Sequence, residues 1–496
     1  MTAPGGQVWH LAQSVRWLDQ VTLAGGAPYR VITLTGRGSQ TVREILGGAS
    51  GGHDPVVQEL LVRLQDAGLL VAPAPAPADD FPVTVVIPAR SAPGPVVDLL
   101  DRIGSATPVI VVDDGSAEPL AGLAVGRANV TVVRHPVSRG PGAARNTGAA
   151  LVTTSWIAFL DADTRPDPGW IAALKGPIDQ SDRTASQERN RVVLAAPRIY
   201  PLPGSGWGGW FENRVCALDL GGVPSDVGVG RTVSYVPSAA MLVETGTFRR
   251  CGGFDESMQV GEDVDLVWRL ARFGRIRYLP DVRVGHQPRT SLWAALRRRV
   301  AYGTSAADLG RRHPGSLRHV DVSIYSFGPW VLGVLVHPLL GVVAAGVTAA
   351  IAPWGMPTLP PSKARKLAVQ GHLLAAGALG RWLIRPMAPA TLALGLARPG
   401  TGRRLALAAV GGLVYLVGLD VRSARLATDS RWVSARLAGE SLIARTLDDL
   451  AYSTGVWIGV IRRRTLEPVL PRVRDLSLGR ITSLGRTTRN RRAARV

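Results

Sequence analysis

Two carboxylates, Asp161 and Asp163, stand one residue apart where the apolar run of "WIAFLDADTRPDPGW" gives way to a turn. At a strand end both can face one site, and such a pair of oxygen donors suits a hard divalent cation, Mg²⁺ or Mn²⁺, which typically shares its coordination with substrate phosphates. A capped, solvated turn would use the same residues. A second acidic pair, Asp113 and Asp114, closes the apolar run of "VVDDGS", and a third, Glu262 and Asp263, opens the helix-like "GEDVDLVWRLARFG". A carboxylate in the first turn of a helix is also what the helix dipole favours. The stretch "SRGPGAARNTG" adds glycines that permit close backbone approach and Arg145, a partner for phosphate or carboxylate. Singly, each group has a bland explanation. Acidic residues at three separate element ends, in this order, are much harder to ascribe to capping.

The elements that must position these residues fall in a block running from 79 to 314. "VTVVIP", "PVIVVDDGS", "NVTVVRH" and "WIAFLDAD" read as four apolar strands of the kind buried in a parallel sheet, with helix-like "PVVDLLDRIG" and "PGAARNTGAALV" between them. This alternation predicts an open, doubly wound α/β sheet that binds ligands at the C-terminal ends of its strands. The polar residues collect at those ends. Before this block, residues 1–78 predict a small winged-helix-like domain: "YRVITLTGRGSQTVREILGG" as strand, turn and amphipathic helix, then "VVQELLVRLQDAGLLV" as a second helix ending at Gly68. The Pro/Ala stretch "APAPAPADD" is a linker.

The third block, 315–496, changes character. From Val322 to Ser362 no residue is charged, and "WVLGVLVHPLLGVVAAGVTAAIA" is long enough to cross a bilayer, which takes roughly 20 apolar residues. "MAPATLALGLA", "LALAAVGGLVYLVGL" and "YSTGVWIGVI" are shorter or interrupted by Pro and Gly, so one firm span and up to three weak ones are expected in a mainly α, membrane-associated region. Arg462 to Arg464 and the Arg-rich tail from Arg472 to Arg495 flank these runs, as the positive-inside bias and anionic lipids favour. That placement accounts for part of the net charge of +20, from 57 basic and 37 acidic residues. No helix-turn-helix, zinc-finger or RNA-recognition pattern accompanies the charge, so nucleic acid is not an expected partner. Cys216 and Cys251 are too few for a disulfide framework or a cysteine metal site. The start of the chain lacks a basic region followed by an apolar run, which predicts no signal peptide and a catalytic part facing the cytoplasm from the cell membrane.

Taken in order, "VVIPAR", "VVDDGS", "GPGAARNTG", "FLDAD" and "GED" resemble the markers of the inverting family 2 glycosyltransferases of the GT-A fold, over about 230 residues of the chain. That resemblance implies that Pro88, Asp113 and Asp114 line the nucleotide pocket, with Arg145 as a donor-binding partner. It also implies that Asp161 lies near the sugar-diphosphate, that Asp163 ligates the metal, and that Asp263, beside Glu262, is the base that deprotonates the acceptor hydroxyl. The physical logic agrees. A leaving diphosphate needs neutralising by a cation and arginines, and a base within reach of the attacking hydroxyl is typically worth about 10² to 10⁴ in rate. His286, in "VRVGHQPR", either completes the metal or diphosphate site, as a histidine does in some relatives, or packs at the surface. Arg298, Arg299 and Tyr302 in "RRRVAYGTS" are candidates to close over the donor, although a helix lying on a membrane would use the same arginines.

Processive members of the family carry Gln-x-x-Arg-Trp in this region, and this chain does not. The front block resembles the PqqD-like peptide-recognition domains at "LTGRGSQTVREILGG" and "LLVRLQDAGLL". With "GWGGWFENRVCALDLGG" and "RRRVAYGTSAADLGRRHPG", the whole looks most like the branch of the family that serves mycofactocin biosynthesis. That likeness implies UDP-glucose as donor, a peptide-derived redox cofactor as acceptor, β-1,4 links, and a precursor peptide or biosynthetic partner at the front domain. Three other readings stand beside it. A phosphatase of the haloacid dehalogenase class also opens on Asp-x-Asp, though in its first strand and usually with Thr or Val where Arg165 stands here. A membrane glycosyltransferase could instead act on lipid or cell-wall polysaccharide, and an inactive adaptor would keep the fold without the chemistry.

Overall fold

The computed structural model describes residues 9–12, 15–26, 30–48, 54–71, 82–90, 93–184, 191–317, 319–357, 359–425 and 431–474. The Pro/Ala linker, most of the N-terminal stretch read for a signal peptide, and the Arg-rich tail beyond residue 474 lie outside these. The chain divides into two compact units, one built from residues up to 203 and 217–287, the other from 204–216 and from 288 onward.

The first unit begins with short strands β1 (His10–Leu11), β2 (Arg16–Trp17), β3 (Thr22–Gly25) and β4 (Arg30–Thr33), helices α1 (Gly36–Leu46) and α2 (Pro55–Asp66), and strand β5 (Leu70–Val71). Strands β2, β3 and β4 form an antiparallel sheet, and β1 pairs with β5. Both helices start where the sequence supplies a cap. Thr35 accepts from the Gly38 N–H, and Asp54 accepts from the Val56 N–H with Pro55 in the first turn. Leu23, Leu34, Val42, Ile45, Leu61, Leu64 and Leu69 close a small core of their own.

The main sheet follows: β6 (Val83–Ala89), α3 (Gly94–Ile103), β7 (Val109–Asp114), β8 (Val130–His135), α4 (Pro141–Leu151), β9 (Trp156–Leu160), β10 (Thr164–Pro166), α5 (Trp170–Thr184) and β11 (Val192–Pro201). Its nine strands run in the order β10-β14-β11-β13-β9-β6-β7-β8, with β12 (Ser225–Asp226) beside β14 (Arg275–His286). The four strands expected from the sequence are parallel neighbours, β9-β6-β7-β8; β6, β7 and β9 are buried along almost their whole length, while β8, at the sheet edge, exposes Thr131 and Arg134. The sheet as a whole is mixed. Strand β13 (Ala240–Glu244) lies between β9 and β11 and antiparallel to both, and β10 is antiparallel to β14. A strand buried on both faces carries no mark of its direction, so apolar pattern alone could not show the reversal.

In the second unit, α6 (Gly206–Glu212) packs with α9 (Leu292–Arg312). After β15 (Asp321–Ser323) come α10 (Ile324–Val331), α11 (Pro338–Gly355), α12 (Pro361–Ile384), α13 (Ala388–Ala397), α14 (Pro399–Arg425) and α15 (Arg431–Arg463), and β16 (Arg472–Arg474) returns to pair with β15. Helices α9 and α15 touch backbone to backbone, since a Cβ on Gly303 would stand 2.3 Å from the Tyr452 carbonyl oxygen.

The membrane expectation needs correcting in detail. The run expected as one span breaks at His337, whose φ of −155° is extended, because Pro338 disfavours the helical region in the residue before it. Among the described residues two helices have the length and hydropathy to cross a bilayer, α11 and α12; Lys363, Arg365, Lys366 and Arg381 interrupt the apolar pattern of α12 and hide it in the sequence. The glycines in "LALAAVGGLVYLVGL" and "YSTGVWIGVI" do not end their helices, which continue through both runs as α14 and α15.

Candidate active site

The site assembles at the C-terminal ends of β6, β7 and β9 and the N-terminus of α7 (Thr245–Arg250)'s successor, α8 (Glu262–Leu270). Gly261 precedes α8 with φ +82°, a left-handed turn that glycine tolerates and that brings the chain sharply into the helix. Glu262 and Asp263 occupy the first turn. Arg145, on α4 and buried, joins two of the three acidic groups: its Nη2 lies 2.5 Å from Asp161 Oδ1 at the end of β9, and its Nη1 lies 3.3 Å from Glu262 Oε1. The guanidinium also rests over the Phe254 ring at 5.4 Å.

Burial, and then the neighbouring charge of Asp263, push the Glu262 carboxyl up to about 7, against the pull of Arg145. Burial also raises Asp263, although its own backbone opposes the shift, with the Val264 N–H donating to Oδ1 at 2.8 Å. Neighbouring buried acids titrate as a pair, and both hold a proton more tightly than an ordinary carboxylate. Such a pair is suited to taking one from a hydroxyl.

Asp163 has a different surrounding. Its side chain is 52% exposed, and Oδ2 stands 3.3 Å from Nε2 of His286. The antiparallel pairing of β10 with β14 places Thr164 opposite His286, and the Gln287 N–H donates to the Asp163 carbonyl at 3.1 Å, so the contact follows from strand register. Among the described residues no group of three or more His, Cys, Asp or Glu could hold a metal ion. A carboxylate and an imidazole with an open side do fit a cation that takes its remaining ligands from phosphate and water.

Asp113 and Asp114, expected at the nucleotide pocket, are both buried and hydrogen-bonded within the protein. Asp113 accepts from the Ser116 and Leu120 N–H groups at 2.9 and 3.1 Å and pairs with Arg134. Asp114 accepts from Ser138 Oγ and the Arg139 and Gly140 N–H groups at 2.7 to 2.9 Å, and its Oδ1 lies 2.7 Å from His135 Nδ1. Burial alone would raise both carboxyls, but these hydrogen bonds outweigh it and hold both below the ordinary carboxylate value. Arg134 and His135 were not singled out from the sequence, yet they sit opposite Asp113 and Asp114 in the β7–β8 register. Two adjacent strands ending in "DD" and "RH" were the available signal. Pro88, half-buried near the end of β6, pairs in register with Val112.

Arg299 is buried in the second unit, with Nε 2.5 Å from Asp448 Oδ1, a bond to the Val215 carbonyl, and Phe211 beneath its guanidinium. Arg298 and Tyr302 pair with each other on the exposed side of α9.

The family model described as glycosyl transferase family 2 matches residues 84–207, and that of glycosyl transferase family group 2 matches residues 156–383. The chain is 36% identical over 483 residues to the pre-mycofactocin glycosyltransferase of Mycobacterium tuberculosis strain H37Rv, covering 95% of this chain and 98% of that one. The chain belongs to glycosyl transferase family 2. It is a glycosyltransferase, and its mixed sheet is a GT-A-like α/β fold, which sets aside the phosphatase and adaptor readings. This glycosyltransferase is also 34% identical over 220 residues to the succinoglycan biosynthesis protein ExoU of Rhizobium meliloti, covering 40% of this chain and 59% of that one. A mannosyltransferase from Pyrobaculum calidifontis, solved with GDP-Man and Mn²⁺, aligns at 18% identity over 68% of this chain and 89% of that one with a TM-score of 0.36, too slight a likeness to support an inference.

Proposed function

We propose that this glycosyltransferase moves glucose from UDP-glucose onto pre-mycofactocin, a peptide-derived redox cofactor precursor, with inversion at the anomeric carbon, and builds a short β-1,4-linked glucan. The observation that carries the chemistry is the bridge through Arg145 from Asp161 at the end of β9 to Glu262 at the start of α8, with Asp263 beside it. The end-to-end match to a pre-mycofactocin glycosyltransferase supports the acceptor.

In this reading Asp263 takes the proton of the acceptor hydroxyl as that oxygen attacks the anomeric carbon, while the bond to the diphosphate breaks on the opposite face. One displacement inverts the centre. Burial keeps the base's affinity for a proton above that of an ordinary carboxylate, and Arg145 holds Asp161 and Glu262 in place. Asp113 and Asp114 fix the turn after β7 that, with Pro88, forms the wall of the nucleotide pocket. A divalent cation, Mg²⁺ or Mn²⁺, held by Asp163 and His286 would supply neutralisation of the departing diphosphate. The front block, residues 1–78, serves as a PqqD-like recognition domain for the precursor peptide or a biosynthetic partner. Helices α11 and α12 hold the protein at the cell membrane with the catalytic block, residues 79–314, on the cytoplasmic side.

A lipid or cell-wall polysaccharide acceptor is the second reading, favoured by the exposed apolar face of α11 and the likeness to a succinoglycan biosynthesis protein. Incubating the protein with UDP-glucose and purified pre-mycofactocin, followed by mass spectrometry and proton NMR of the new anomeric centre, separates the two. Hexose addition in the β configuration supports the proposal. Addition only to a lipid or polysaccharide acceptor, or an α-linked product, removes it.

A further inference from the structure

In the second unit, two indoles stand in water at the mouth of one pocket. Trp207 is 72% exposed and Trp293 70%, and with Gly206, Thr290, Ser291 and Leu292 they line an open pocket of about 540 Å³. That volume is in the usual range of ligand sites, roughly 300–1,000 Å³.

The pocket is rigidly built. The first turn of α6 lies backbone to backbone on the segment before α9: the Gly208 N–H donates to the Thr290 carbonyl at 2.9 Å, and a Cβ on Gly208 would stand 2.3 Å from the Arg289 carbonyl oxygen. A buried carboxylate, Glu212, fastens the two pieces by accepting from the Arg289 N–H at 3.0 Å and from its guanidinium at 3.1 Å. Trp210 packs against a core that includes Phe211 and Ala295, and it meets the Trp207 ring edge-on at 6.0 Å. The Trp207 ring is thus braced by Trp210, the backbone carrying both indoles is fixed, and both rings are left uncovered.

We infer that this pocket is a subsite for a neutral saccharide chain, the glucan that the enzyme extends. The inference rests on the proposed glucan product. No lining residue is charged, which fits a neutral occupant better than phosphate or an anionic headgroup. The apolar C–H face of a pyranose suits the face of an indole, and its hydroxyl rim suits Thr290 and Ser291. Ser291 Oγ already accepts from the Ala294 N–H as the cap of α9, which leaves its own proton to donate. A site that grips a sugar already added favours the next addition over release, so it acts on product length.

The test is binding of cellotetraose to the full-length protein in detergent micelles, followed by tryptophan fluorescence and calorimetry, for the native chain, Trp207→Ala, Trp293→Ala and the conservative Trp293→Tyr. Thermal melting and UDP binding serve as controls for the fold. The expected result is cellotetraose binding weakened several-fold, up to about tenfold, by either alanine, largely restored by tyrosine, and a product distribution shifted to fewer sugars. Unchanged cellotetraose affinity in both alanine variants would overturn the inference. So would unchanged affinity with a loss of co-sedimentation with phosphatidylglycerol vesicles, which would make the two indoles a membrane contact. If UDP-glucose is not a donor at all, Trp-dependent cellotetraose binding still separates this subsite from the failure of the glucan reading.

Discussion

Asp263 and Glu262 differ in what they would reveal when changed. Asp263→Asn keeps shape and hydrogen bonding but removes the basic oxygen, so transfer is expected to fall by about 10² to 10⁴ while UDP affinity stays within error. Near-native turnover would remove Asp263 from the role of base. Glu262 reports through pH. Its native value of about 7 lies above the ordinary 4.5, so between those limits the folded protein keeps a proton that the unfolded chain has released. This contribution to stability is full below about pH 4.5 and is lost as pH rises through about 7. Glu262→Gln should therefore flatten the pH dependence of the melting temperature across that window, and an unaltered slope would contradict the assignment. The acidic groups were legible in the sequence because strand and helix ends mark them. Their partners were harder to see, since Arg145 meets Glu262 across 117 residues and no spacing rule reaches that far.

At the scale of elements, register places most of what the sequence left open. Parallel β7 and β8 set Arg134 beside Asp113 and His135 beside Asp114, and antiparallel β10 and β14 set His286 beside Asp163. The β7–β8 pairing leads to a stability prediction. Arg134→Ala removes the cation from the wholly buried Asp113 carboxylate and leaves it the Ser116 side chain and the Ser116 and Leu120 backbone donors, at an expected cost of about 1–3 kcal/mol, the low end applying because Arg134 is itself partly exposed. Urea unfolding measures it, and a change below 0.5 kcal/mol, within the ordinary scatter of roughly ±0.5 for surface substitutions, would show that Arg134 is dispensable. The strand-helix alternation was readable because each of the four strands contains a short apolar, β-branched run. The antiparallel β13 was not, because such a run carries no mark of its direction.

For the whole molecule, the sequence showed that the third block is apolar but misplaced its breaks, because composition registers Pro338 as one residue among many whereas the backbone before it must leave the helix. Helix α11 presents Val343 and Val347 to solvent near the middle of the span, where a charge costs about 2.5–3.5 kcal/mol on insertion scales. Val343→Glu with Val347→Glu should shift the protein from the membrane fraction toward the soluble one on flotation. Unaltered flotation would assign the membrane contact elsewhere. The central claim spans both units and is met most directly by following UDP release from UDP-glucose by the membrane-bound protein, with Mn²⁺, with Mg²⁺ and with chelator, each with and without purified pre-mycofactocin. Release that requires the cation and rises with the acceptor is the predicted result; release indifferent to both, or none from UDP-glucose while another nucleotide sugar is turned over, would contradict it.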